Sequence, residues 1–175
     1  MSATLAEIKA AIRDIPNFPK PPVIFKDITP MLQQPKLFRA VVDLFVDRHS
    51  KQKPDAIIGI DARGFIFAGA VAYQLGVAFV PVRKKGKLPY KTVEETYELE
   101  YGRETLSMHI DAVKAGDRVV IVDDVLATGG TAGAAGKLVE QLGAKVAECD
   151  FLIELKFLSG MAKLAKYPVF AALSY

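Results

Sequence analysis

Residues 118–136 read RVVIVDDVLATGGTAGAAG. Four β-branched aliphatics at 119–122 have the composition of a strand buried on both faces. They run straight into two carboxylates, Asp123 and Asp124. Hydroxyls and glycines follow in Ala127, Thr128, Gly129, Gly130 and Thr131, and then small residues that open a helix. A buried strand can tolerate two adjacent charges only where it leaves the core. In a parallel sheet, that place is the carboxyl edge, where ligands bind.

The rest of the chain repeats this grammar. DAIIGI (55–60) reads as a buried strand, DARG (61–64) as a tight loop, FIFAGAVAYQL (65–75) as a helix and VAFVPV (77–82) as the next strand. After VVIVDD (119–124) come a helix over 131–142, a strand over 144–155, a helix over 159–166 and a short strand over 168–173. ETLSMHI (104–110) reads as a further strand, whereas 83–101 lacks apolar periodicity and reads as a long loop with room for short strand pieces. Near the N-terminus, Leu5, Ile8 and Ile12 give an amphipathic helix over 3–13, and 36–49 reads as a second helix. Between them, IPNFPKPPVIFKDITP excludes regular helix or a central strand, and its apolar anchors predict an ordered irregular segment. Strands alternating with helices predict an α/β protein with a doubly wound parallel sheet.

At 175 residues, 51% hydrophobic, the chain reads as one domain, 1–175, with a proper core. A net charge of +3 gives no reason to expect nucleic acid as a partner. The single Cys149 excludes an internal disulfide and suits a reducing cytoplasm, and with only His49 and His109 there is no zinc framework. No apolar run reaches the roughly 20 residues of a membrane span, so no membrane is expected.

The loop after VVIVDD has the makings of an anion site: backbone amides at a helix N-terminus, with glycines that let them close on a phosphate. The plainer alternative is a capped helix with Thr131 as N-cap. Neither common phosphate fingerprint fits. Gly136-Lys137 has Thr131 where a P-loop needs glycine, and no G-x-G-x-x-G follows a strand. Ionised carboxylates only accept hydrogen bonds, so vicinal ribose hydroxyls suit the aspartates. Together these features ask for a ribose 5-phosphate.

VVIVDDVLATGGT resembles the phosphoribosyl-pyrophosphate signature of the type I phosphoribosyltransferases. FKDITPML, DARGFIF, VRKKGKLP and YELEYGRETLSMH narrow the resemblance to the adenine phosphoribosyltransferases over positions 15–158. Lys26 and Pro22 depart from the Arg and Gly more usual there. The resemblance implies that Asp123 and Asp124 bind the ribose hydroxyls and that 127–131 wraps the 5-phosphate. It implies pyrophosphate recognition at Arg63, helped by Arg83, Lys84 and Lys87 in the basic run that also holds Lys85 and Lys91. It places a hood at 1–35 and a mobile flap at 83–103, where Glu100 serves purine N7 with Tyr101 beside it. Ile24, Phe25 and Leu155 become base-pocket walls, and main-chain groups around Ile24 and Lys26 read the base edge. The implied partners are adenine, phosphoribosyl pyrophosphate, AMP, pyrophosphate and a second copy of the chain. Mg²⁺ is implied as a cofactor carried mainly by substrate, with no direct protein ligand assigned. The alternatives are transfer to another purine and a non-catalytic phosphoribosyl-pyrophosphate-binding regulator.

Overall fold

In the computed structural model, which describes residues 3–99 and 102–175, Thr4 opens the first helix with a reciprocal cap. Glu7 N–H donates to Thr4 Oγ1 at 3.2 Å, and Thr4 N–H donates to Glu7 Oε2 at 2.7 Å. This helix, α1 (Leu5–Ala10), is shorter than its periodicity predicts; it buries Ile8 and leaves Leu5 exposed. The proline-rich stretch is more regular than expected. Strands β1 (Arg13–Pro16) and β2 (Ile24–Asp27) pair antiparallel within it, with Phe18 and Phe25 edge to face at 5.2 Å. Pro16 is accommodated because the sheet has only two strands, both of them edges. Helices α2 (Thr29–Leu32) and α3 (Pro35–His49) follow. Residues up to Phe45 form one compact unit, and residues from Val46 form another.

The second unit is built on a seven-stranded sheet. Its strands are β3 (Ala56–Ile60), β4 (Ala78–Lys84), β5 (Thr92–Leu99), β6 (Gly102–His109), β7 (Arg118–Leu126), β8 (Lys145–Glu154) and β9 (Val169–Ser174). In space they run β5-β6-β4-β3-β7-β8-β9. From β4 to β9 neighbouring strands are parallel, and β6 and β5 join antiparallel at one edge. The expected α/β sheet is present. The long loop with short strand pieces expected over 83–101 holds more regular strand than that: residues 92–99 are β5, paired antiparallel with β6.

Two crossover helices fix the geometry of the sheet. α4 (Arg63–Leu75) connects β3 to β4, and α5 (Gly130–Gln141) connects β7 to β8. β4 lies on one side of the β3–β7 pair and β8 on the other, so right-handed crossovers place the helices on opposite faces. Gly59 lets α4 approach: a Cβ there would stand 2.9 Å from Ala68 Cβ. Ile57, Ile58, Val119, Ile121, Val122, Phe151 and Ile153 are essentially inaccessible, so the core lies along the sheet's centre. The helix expected over 159–166 is reduced to the short α6 (Gly160–Lys163), preceded by a 3-10 turn (Lys156–Leu158) and by Ser159 at φ 51°.

Candidate active site

Strand order reverses direction between β3 and β7, and the crevice at their carboxyl ends is where such sheets bind ligands. The loop after β3 is DARG, and the loop after β7 carries the glycines. β7 runs two residues beyond its predicted end, so both aspartates lie within the strand. Asp123 opposes Phe151 on β8 and is half-buried, and Asp124 is 3% exposed. Asp123 Oδ1 accepts the Asp124 N–H at 2.9 Å.

Burial is the largest influence on both carboxyls and pushes both above the ordinary carboxylate range. The neighbouring Asp124 charge adds to this at Asp123, which is raised furthest. At Asp124, Arg63 works in the opposite direction. Arg63 is the first residue of α4, and its Nε lies 2.9 Å from Asp124 Oδ2. The N–H is not directed at that oxygen, which receives no aligned hydrogen bond. The contact is therefore an ion pair that leaves buried acceptor capacity at Asp124. Gly64 permits it, because a Cβ there would meet Asp123 Oδ1 at 2.8 Å and the Val122 carbonyl at 2.9 Å.

The glycine loop is capped by main chain. Gly129, at φ 79°, is the N-cap residue of α5, and no side chain caps the helix. Thr131 is not the N-cap; its hydroxyl hydrogen-bonds Tyr97 Oη at 3.1 Å. The first-turn amides of α5 are thus left without a side-chain acceptor at the carboxyl end of β7, a chemistry that suits an anion. On the other side, Arg83 Nε donates to Asp61 Oδ2 at 2.8 Å, tying the basic run to the DARG loop.

Residues 28–166 match the phosphoribosyl transferase domain family. An adenine phosphoribosyltransferase of Anaeromyxobacter sp. is 51% identical over 175 residues, covering 100% of this chain and 99% of the relative. The crystal structure of the adenine phosphoribosyltransferase from Thermoanaerobacter pseudethanolicus superposes with a TM-score of 0.95 at 51% identity, covering 98% of this chain and 100% of the other. The chain belongs to the adenine phosphoribosyltransferase family. The Saccharomyces cerevisiae enzyme of this family, complexed with an imino-altritol bisphosphate and adenine, gives a TM-score of 0.92 at 45% identity over 97% of this chain and 98% of the other.

The fold brings Arg63, Asp123, Asp124 and 127–131 to one crevice. Leu155, half-buried, stands at the same sheet edge, its N–H donating to the Leu126 carbonyl at 2.9 Å. Lys84 and Lys85 pair with Glu104 and Glu94 across the β4–β6–β5 edge at 2.7 Å each, and Lys87 is exposed. Ile24, Phe25 and Lys26 sit together on β2 in the N-terminal unit, where Lys26 pairs with Asp14 at 2.7 Å. Glu100 and Tyr101 lie outside the described residues. Sequence reasoning missed Asp61, although DARG contains it, and Gly64, whose close packing on Asp123 leaves no local trace.

Proposed function

We propose that the protein transfers the 5-phosphoribosyl group of phosphoribosyl pyrophosphate to N9 of adenine, forming AMP and pyrophosphate in purine salvage. The observation that carries the reading is the 2.9 Å approach of Arg63 to Asp124, which joins a pyrophosphate-type loop to ribose-type carboxylates across the switch point. In the crevice, Asp123 and Asp124 accept the ribose hydroxyls, and the 127–131 amides hold the 5-phosphate. Arg63, with Arg83, Lys84 and Lys87, balances the charge that gathers on departing pyrophosphate. Adenine then attacks the opposite face of the electron-poor C1. The family resemblance gives Leu155 a place at the base and gives Glu100, next to Tyr101 in sequence, proton exchange with N7. Separately, within the N-terminal unit, it gives Ile24 and Phe25 an apolar role toward the base and the main chain around Lys26 the reading of its edge.

Mg²⁺ fits this donor set. Both carboxylates offer hard oxygens, and Asp124 Oδ2 keeps acceptor capacity. Asp123 and Asp124 would hold the ion largely through the ribose hydroxyls, and when bound it neutralises pyrophosphate charge. Within a single domain 1–175, residues 1–35 serve as a hood and 83–103 as a flap that excludes water. We infer a homodimer in the cytoplasm. Ile66 and Tyr73, two turns apart on α4, expose 39% and 87% of their surface, and Phe79, edge to face with Phe65 of the same helix, exposes 39%; this apolar surface suits a second copy. The reducing compartment suits Cys149, which is buried, with its thiol pushed up to about 12 by burial.

The test is nucleotide formation from phosphoribosyl pyrophosphate and Mg²⁺ with adenine or hypoxanthine. The wild type should form AMP far faster than IMP. Glu100→Gln should lose about 10² to 10⁴ in turnover with sugar binding preserved. Glu98→Gln, at an exposed position 3.7 Å from Arg103, should change little. Equal AMP and IMP formation sinks the adenine reading, and equal behaviour of the two variants removes the role of Glu100.

A further inference from the structure

The 5-phosphate loop has no side-chain cap, so its shape must be imposed from outside, and two residues meet it there. The first is Gly160. A Cβ at Gly129 would collide with the Gly160 carbonyl oxygen, and a Cβ at Gly160 would collide with the Ala127 carbonyl oxygen. The two backbones interlock with no room for a methyl group on either. Gly129 also needs its left-handed φ, but Gly160 has no such requirement. At Gly160, close approach alone explains the glycine. The second residue is Tyr97 on β5. Its ring lies 3.0 Å from where a Gly130 Cβ would be, and its hydroxyl hydrogen-bonds Thr131 Oγ1. Tyr97 is in turn held by the core, which packs against its ring.

We propose that Gly160 and Tyr97 are positioning residues for phosphate recognition, forming the two halves of a mould that sets the 127–131 backbone. Gly160 fixes where the loop carbonyls point and hence where the opposed amides aim. Tyr97 fixes the Thr131 hydroxyl and ties the loop to the β5–β6 hairpin. This inference rests on the phosphoribosyl-transfer reading above.

The test compares Gly160→Ala, Tyr97→Phe and the control Gly133→Ala, where the nearest atom to an added Cβ is 3.8 Å away. Dissociation constants for ribose 5-phosphate and for pyrophosphate are measured alongside KM and kcat. Gly160→Ala should weaken ribose 5-phosphate by about tenfold or more, since small misplacements of a preorganised group are costly. Tyr97→Phe, missing one hydrogen bond, should weaken it by about fivefold. Pyrophosphate binding and kcat at saturation should stay close to wild type in both, and Gly133→Ala should match wild type throughout. If wild type itself fails to bind ribose 5-phosphate, the phosphoribosyl reading falls and this inference with it. If wild type binds and both variants bind equally well, or lose ribose 5-phosphate and pyrophosphate alike, the mould is refuted. Should Gly160→Ala not fold, Tyr97→Phe decides alone.

Discussion

Asp123 shows how a residue proposed to bind ligand can work against its own fold. Its carboxyl is raised well above the ordinary range because burial and then Asp124 disfavour its charge. Below the ordinary carboxylate pKa, folded and unfolded chains are both protonated there, and nothing is lost. As pH climbs from that value toward the raised folded-state value, the unfolded chain sheds the proton first and folding becomes less favourable. Above the folded value the full penalty remains. Asp123→Asn keeps an acceptor for the Asp124 N–H and removes the charge. Its unfolding midpoint should therefore exceed that of wild type at pH 8 and meet it near ~pH 4. Ribose 5-phosphate binding should fall by about 10- to 100-fold, as for the loss of a hydrogen bond to a charged group. A midpoint that drops at pH 8 would show the carboxylate to be stabilising and the assignment of strain wrong.

At the scale of elements, what the sequence showed and what it concealed have separate physical causes. β3, the first half of β7 and the FLI stretch of β8 were legible because strand segments buried on both faces are aliphatic or aromatic runs. The DARG and TGGT loops were legible because glycine and charge at a strand's end have few other uses. β6 was legible as a strand over 104–110, but its partner β5 was hidden by Glu95. Val93 and Tyr97 turn inward as a strand's alternation requires, but Glu95 lies between them on the same face and breaks the pattern. Its carboxylate is satisfied by Lys137 Nζ at 2.8 Å and Gln141 Nε2 at 3.2 Å, both on α5. A partner far along the chain made a polar residue acceptable on an inner face, and no local window contains that information. Gly160 was invisible for the same reason, since its close neighbour Ala127 is remote in sequence. α4 carries the converse case: Tyr73 is a large apolar-bodied side chain left exposed. If the protein is the proposed homodimer, Tyr73→Glu should shift its sedimentation from dimer toward monomer while leaving the folded monomer intact. An unchanged dimer would place the subunit contact elsewhere.

For the whole molecule, the decisive pairing is β3 with β7, which joins Ala56 to Val119 and Gly59 to Val122 across a long stretch of intervening chain. β3-α4-β4 and β7-α5-β8 are each local units, joined by that pairing and by the packing of α4 on β7, where Arg63 meets Asp124. Each supplies half the crevice: the first brings Arg63, the second Asp123, Asp124 and the glycine loop. Non-local parallel pairing is slow to form, because chain entropy must be lost before the contacts return anything. On refolding from denaturant, helical signal should recover early, with ribose 5-phosphate binding and turnover appearing together only in the slowest phase. Binding that recovers ahead of this phase would show that one half suffices to hold the ligand. A half-assembled molecule of this kind can look well structured to a spectroscope and still be chemically silent, and the first molecule of ligand to bind after synthesis would report that the seam has closed.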